Sequence, residues 1–321
     1  MVEAESESDT NPVPGADRIA VLFMQSQEFF GADSQVHASI MRHLPRDRFE
    51  VHCAVPRQRD DGVDSARRAV SEIDEVRIRP TEFGPSLEAP GKRQLLAEAI
   101  RRGPSALASL IGLIRYARKN RIRVIHCTEK PRDAVYGTVV AALAGANCVV
   151  HVHVKAEDWI RPMVRRSMRR AAALVGVSEF VAQSLVDLGY DRGRIFVVRN
   201  GIELDDWIGA APDTEGVREE FSLAADQPVI VSASRLFRYK GQHELIAAMP
   251  EVRRSLPDVR ALIVGADDPR GAPGEGSYSA ELRRLVDEFE LDGCVVFTGW
   301  RHDVRALMAA GTVYCMPSFE E

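Results

Sequence analysis

Residues Ala134–Val154, AVYGTVVAALAGANCVVHVHV, decide how this chain folds. The run carries no formal charge and is long enough to cross a bilayer as one helix. Its content argues for something else. Thr138, His151 and His153 are polar, and Gly145-Ala146-Asn147 breaks the run into an Ala-rich part and a Val-rich part. Alanine favours helix, valine favours strand, and Gly-Ala-Asn is turn punctuation. The stretch therefore predicts a helix leading into a buried strand.

The same alternation continues on both sides. Strands are predicted at Ile19–Met24, Phe49–Val55, Val76–Ile78, Val124–Cys127, Cys148–Val154, Ala173–Val177 and Ile195–Val198. Most lack a two-residue polar alternation, as parallel strands covered on both faces do. Helical patterns lie between them at Ser34–Leu44, Ser105–Lys119, Asp133–Ala144, Arg161–Ala172 and Glu179–Leu188. This rhythm predicts a doubly wound α/β domain over residues 18–204, preceded by an acidic, Pro/Gly-containing tail at 1–17 that reads as disordered.

A polar, acidic connector follows at 205–227, with a short helical stretch around Val217–Phe221, and the rhythm restarts at Pro228. Strands Val229–Ala233, Val259–Val264, Val295–Thr298 and Thr312–Met316 alternate with helices Gln242–Ser255, Ser279–Phe289 and Asp303–Ala309. A second parallel α/β domain is expected over 228–321, with a cleft between the two as the natural ligand site. The chain stops after a strand with no closing helix, so the second domain is expected to be truncated and its sheet edge unfinished.

Composition agrees with two packed domains. The 321 residues include 42 Lys+Arg and 47 Asp+Glu, a formal charge of −5, and are 45% hydrophobic. That balance excludes wholesale disorder and argues against a nucleic-acid partner, which needs a basic excess. The five cysteines, Cys53, Cys127, Cys148, Cys294 and Cys315, form no C-x-x-C pair and read as buried free thiols in a reducing cytoplasm. His243-Glu244 has Ala247 where a zinc helix needs its second His, and no metal is expected. Asp267-Asp268 lacks the Asp-x-Asp spacing of a metal-dependent transferase and reads as a solvated turn.

The chemistry concentrates in Ser232-Ala-Ser-Arg235-Leu-Phe-Arg-Tyr-Lys240-Gly241, directly after a strand and at the start of a helix. Ligands of open α/β sheets bind beyond the carboxyl ends of the strands, and a helix N-terminus there favours anions. Arg235 offers a planar fork and Lys240 a mobile point charge, a pair suited to a diphosphate; on spacing alone, two solvated loop cations are the alternative.

This segment resembles the Gly/Ser-Arg-Leu…Lys-Gly segment of the retaining glycosyltransferases of the two-Rossmann-domain GT-B fold, called group 1 or family 4. Five further segments resemble that family in the same order: Val175–Glu179, Val198–Ile202, Leu262–Gly265, Val296–Gly299 and Met316–Glu321. The resemblance implies transfer of a sugar from a nucleotide-diphosphate donor to an acceptor hydroxyl with retention, without cofactor or metal. Positive side chains and helix-terminal amides would stabilise the departing diphosphate.

It also implies residue roles. Glu321 matches the first Glu of a Glu-x7-Glu pair that holds the donor, and the second Glu lies beyond the last residue. Gly265 falls in the nucleotide-binding part. His151 and His153 share one face of a strand end, and His153 at the mouth matches the His that meets the donor sugar, with a packed structural histidine as the alternative; His151 reads as structural. Gly31, in Phe30-Gly31-Ala32-Asp33, partly matches a Gly-Gly-x-Glu loop that approaches the ligand; a plain helix start capped by Asp33 or Ser34 is the alternative.

Acceptors are expected on the first domain: a sugar, a lipid or a small molecule. Arg161, Arg165, Arg166, Arg169 and Arg170 recur at helical spacing, either a solvated face or a weak peripheral contact with the inner membrane surface. The alternatives to a transferase are a GT-B epimerase or phosphorylase, and a non-catalytic binding protein that keeps the fold.

Overall fold

The computed structural model describes residues 18–27, 31–57, 66–84, 92–157, 159–267 and 277–319. The tail expected at 1–17 lies outside them. The chain divides into two compact units, Met1–Ile202 and Glu203–Glu321.

The first unit runs β1 (Ile19–Met24), α1 (Ala32–His43), β2 (Phe49–Pro56), α2 (Ala66–Ser71), β3 (Val76–Thr81), α3 (Lys92–Lys119), β4 (Ile122–Thr128), α4 (Pro131–Ala144), β5 (Asn147–Val152), α5 (Pro162–Met168), β6 (Ala173–Gly176), α6 (Glu179–Asp187) and β7 (Ile195–Val197). Its seven strands form one sheet in the order β3-β2-β1-β4-β5-β6-β7, with every pairing parallel. Side-chain alternation sorts the strands onto two faces. Ala20, Leu22, Met24, Ile125, Cys127, Cys148, Val150 and Val152 join a core with residues of α3, α4, α5 and α6. Val21, Phe23, Val51 and Cys53 pack with α1 and α2 on the other. The deciding stretch is α4 plus β5, joined at Gly145 in the left-handed region (φ 75), where a helix ends at low cost. The helix needs small residues because it lies close to the sheet: a Cβ on Gly137 would stand 2.9 Å from Cys127 Sγ.

The second unit runs α7 (Leu204–Ile208), α8 (Thr214–Glu220), β8 (Val229–Ala233), α9 (Gln242–Ser255), β9 (Arg260–Val264), α10 (Tyr278–Glu288), β10 (Val295–Gly299), α11 (Val304–Ala310) and β11 (Val313–Tyr314). Its four strands pair in parallel in the order β10-β9-β8-β11. Among the described residues, no helix is long and apolar enough to cross a membrane.

Several elements differ from expectation. The helix expected from Ser105 starts at Lys92 and carries Pro104 inside it. α5 stops at Met168, short of Ala172, whose N–H is claimed by the sheet through Cys148 O at 2.8 Å. Helices α2 and α7 were not anticipated. Cys53, Cys127, Cys148 and Cys294 are buried free thiols as expected, and Cys315 is half-buried.

Candidate functional site

In the second unit, the chain leaves β8 at Ala233, runs through a loop and the 3-10 turn Arg238–Lys240, and enters α9. The N–H groups of Ser234 and Leu236 donate to Val264 O (3.0 Å) and Ala266 O (2.9 Å), so the loop lies beside the chain leaving β9. Two glycines permit this approach. A Cβ on Gly265 (φ +143) would stand 2.0 Å from Ser234 O, and one on Gly241 2.0 Å from Pro317 O. No side chain can occupy either position without moving backbone.

Arg235 is exposed in this loop and Lys240 is half-buried immediately before α9, its Nζ 4.9 Å from the Tyr239 ring centre. The expectation that both cations stand at a helix start is corrected for Arg235, which precedes the turn. The third cation of the segment, Arg238, is committed to structure: its Nη2 reaches both carboxylate oxygens of Glu281 at 2.6 and 2.8 Å. No side chain caps α9, although Tyr278 Oη accepts from the His243 N–H at 3.2 Å. Gln242 is 1% exposed, and its Nε2 donates to Ser234 Oγ (2.7 Å) and Arg235 O (3.0 Å). The first residue of the helix thereby holds the loop that carries Arg235. Asp267 is exposed in its loop, as a solvated turn predicts, and also accepts the Ser279 N–H at 2.9 Å and the hydroxyls of Ser277 and Ser279, so it anchors the start of α10.

In the first unit, the strand order reverses between β1 and β4, the position where open α/β sheets bind ligands. Asp133, at the start of α4, fastens the two loops there. It accepts the Ser26 N–H and the Thr128 hydroxyl, each at 2.9 Å. Burial raises the pKa of its carboxyl, and these donors pull it back. Gly31 is the extended N-cap of α1 (φ −96) and receives no side-chain cap, which corrects the expected capping by Asp33 or Ser34. Asp33 instead pairs with Lys130, and Ser34 with Gln25.

His153 follows β5 directly, and its ring centre lies 4.3 Å from that of His151, so the pair shares one face as the two-residue period requires. Its N–H donates to Glu129 Oε2 at 3.4 Å. Glu129 is buried at the end of β4, and desolvation pushes its pKa up to about 7. Two further imidazoles converge on the same face: His126 of β4 and His37 of α1, with ring centres 4.8 Å apart. Burial lowers all four pKa values, to about 4 for His126, about 3 for His151, about 4 for His153 and well down for His37, so the rings are neutral.

Of the expected site residues, Arg235, Lys240 and Gly265 come together around one loop; Gly31 lies at the start of α1 and His153 just past the end of β5, next to β4. Glu321 lies outside the described residues. Glu129, Gln242, His37 and His126 were missed. Gln242 adjoins the recognised segment and could have been found there; the other three have no local signal.

The sequence pattern described as Glycosyltransferase Family 4 matches residues 35–206, and that described as Glycosyl transferases group 1 matches residues 213–321. A GDP-mannose-dependent alpha-(1-6)-phosphatidylinositol monomannoside mannosyltransferase of Mycolicibacterium smegmatis is 28% identical over 194 residues, covering 57% of this chain and 47% of the relative. An alpha-maltose-1-phosphate synthase of the same organism is 28% identical over 173 residues, 51% of this chain and 41% of the relative. The chain thus spans about half the length of these curated relatives. Among solved structures, Anabaena HepE in complex with UDP matches with a TM-score of 0.72 at 20% identity, over 94% of this chain and 74% of that one. A glycosyltransferase of Rickettsia africae matches with a TM-score of 0.71 at 15% identity, over 95% and 74%. Structural likeness at these identities speaks for the fold, and the two sequence patterns speak for the family. This chain belongs to glycosyltransferase family 4, the group 1 glycosyltransferases of GT-B fold.

Proposed function

We propose that the full-length protein moves a sugar from a nucleoside-diphosphate sugar to an acceptor hydroxyl with retention of anomeric configuration. The observation that carries this reading is the loop after β8, where Arg235 and Lys240 stand on a backbone that Gly241 and Gly265 allow to pack closely. Charge develops on the departing diphosphate as the sugar becomes oxocarbenium-like, and preorganised cations stabilise it without reorganising at the moment of reaction. Arg235 would hold two phosphate oxygens and Lys240 a third. His153, neutral and beyond the end of β5, would meet the donor sugar, and Gly31 would leave room for the ligand beside α1. Glu321 carries its donor-holding role by resemblance. A relative named for GDP-mannose and neighbours solved with UDP and UDP-glucose support a nucleoside-diphosphate donor.

The acceptor in this reading is a sugar, lipid or small-molecule hydroxyl. Exposed Trp159 and Met163 stand close in sequence to exposed Arg161, Arg166 and Arg170 around α5, an apolar and basic combination that fits an anionic lipid surface.

A screen of the full-length protein against GDP-, UDP- and ADP-sugars tests the reading. Release of nucleoside diphosphate from one donor, with the product keeping the donor's anomeric configuration by NMR, is the expected result. Inversion would remove the retaining step, and no release from any donor with any acceptor class would remove the transferase reading.

A further inference from the structure

We propose that His37, His126 and His151 form a binding site for one divalent transition-metal ion, zinc or a chemically similar ion, within the first unit. The ligands come from α1, β4 and β5, so they are far apart in sequence and meet only because parallel strands lie side by side beneath α1. One ring nitrogen from each lies within 4.8 Å of the others, and His126 Nε2 is 3.3 Å from His151 Nδ1. Tetrahedral zinc with Zn–N bonds of about 2.0–2.1 Å places adjacent ligand nitrogens about 3.3 Å apart. One edge of such a site is therefore already formed. His37 reaches it by a ring movement on the order of 1 Å, a shift within one rotamer well for a coordinating imidazole.

Polar accounting gives an independent reason. His37 is 1% exposed and neither of its ring nitrogens has a hydrogen-bond partner among the described residues. Buried polar groups are normally paired, and a coordinated ion would satisfy one of these two nitrogens. The surroundings suit a transition metal. Phe23 stacks on His126 at 4.9 Å and meets the edge of His37 at 5.7 Å, so one wall is apolar. Among the described residues no carboxylate joins the three nitrogens, and Asp33 is engaged by Lys130. An all-imidazole donor set suits zinc, copper, nickel or iron rather than magnesium or calcium. A water would complete the tetrahedron as the fourth ligand.

The ion would tie α1 to the two strands that carry His126 and His151. This inference is independent of the transferase reading, since it concerns metal retention and not turnover.

The test uses full-length protein stripped with chelator, reloaded with Zn²⁺ or Co²⁺ and freed of excess ion. The expected result is one equivalent of zinc by elemental analysis, and a visible d–d spectrum of low-symmetry Co²⁺. His37→Leu and, separately, His151→Asn should each drop retention at least tenfold, whereas His43→Ala, an exposed control, should keep it. Less than a tenth of an equivalent in the unsubstituted protein would overturn the site without need of any variant. Retention unchanged in both ligand variants would overturn it equally, by showing that the ion sits elsewhere.

Discussion

Gln242 Nε2 lies 3.0 Å from the carbonyl oxygen of Arg235, a bond that runs from the first turn of α9 back to the loop it follows. With the 2.7 Å bond to Ser234 Oγ, it sets the path of the backbone from which the Arg235 side chain projects. Gln242→Leu keeps much of the volume and removes both donors. Unfolding in urea should show a loss of about 1 kcal/mol, the net contribution of part-buried hydrogen bonds. In the full-length protein the KM for donor should rise more than kcat falls, because the change acts on binding geometry. An unaltered KM would show that the loop holds its shape without this amide.

His153 is placed by its backbone more than by its ring: the N–H is fixed on Glu129 Oε2, while Nε2 has no partner among the described residues. In the proposed reading this ring meets the donor sugar. His153→Ala should lower kcat by on the order of 100-fold, the usual scale for one preorganised polar contact in a transition state, with little change in melting temperature. Full turnover in the variant would assign the ring to packing.

Arg301 offers a pH-dependent measurement in the second unit. Its Nε and Nη2 contact the two carboxylate oxygens of Asp303 at 2.8 and 2.7 Å, and its Nη1 and Nη2 reach Glu220 at 2.6 and 2.8 Å. The guanidinium hydrogen bonds hold the Asp303 carboxyl below the ordinary aspartate value. A carboxyl with a depressed folded-state pKa contributes stability above its unfolded pKa and loses it as pH falls through the folded value. The side chains are half-buried, 22% exposed for Arg301 and 42% for Asp303, and solvent screening still keeps that contribution small. An NMR titration should place the Asp303 midpoint below about 3.9 and return it to the ordinary range in Arg301→Gln. Equal midpoints in the two proteins would refute the pairing.

The surface around α5 predicts lipid contact. Trp159 is 48% and Met163 46% exposed, and Arg165 is diverted to backbone oxygens of Ile160 and Glu157 at 2.9 and 3.2 Å. The exposed Arg161, Arg166 and Arg170 remain on the outer surface. Flotation with vesicles containing anionic lipid should carry the protein upward at low salt, less so at high salt, and less again for Trp159→Ala with Arg166→Glu. Equal flotation with neutral vesicles would remove the electrostatic part.

Some of this was legible in the sequence, and the reason is local physics. Ile19–Met24, Val229–Ala233 and Gln242–Ser255 are read with the bounds the structure shows, because polar or turn-forming residues, Arg18 and Gln25, Pro228 and Ser234, and Gly241, flag their ends. Ser178 caps α6 by accepting the Val181 N–H at 3.2 Å, as a serine before a helical run should. The first half of α3 was hidden because Gly103-Pro104 reads as a break, yet the helix continues through it. Asp33 and Ser34 read as caps, and tertiary partners drew both away. The imidazole cluster was the least legible part. Only His151 and His153 are related by strand period, while His37 and His126 arrive through crossover connections that no local pattern encodes.

The central claim is that Arg235 and Lys240 hold the diphosphate of the donor. Calorimetric titration of the full-length protein with UDP and GDP measures this without requiring an acceptor. The account predicts binding of at least one of them, weakened on the order of 100-fold or more in Arg235→Ala/Lys240→Ala, since each charge-assisted contact contributes about 1.5–3 kcal/mol. An unchanged Kd in the double variant would contradict it.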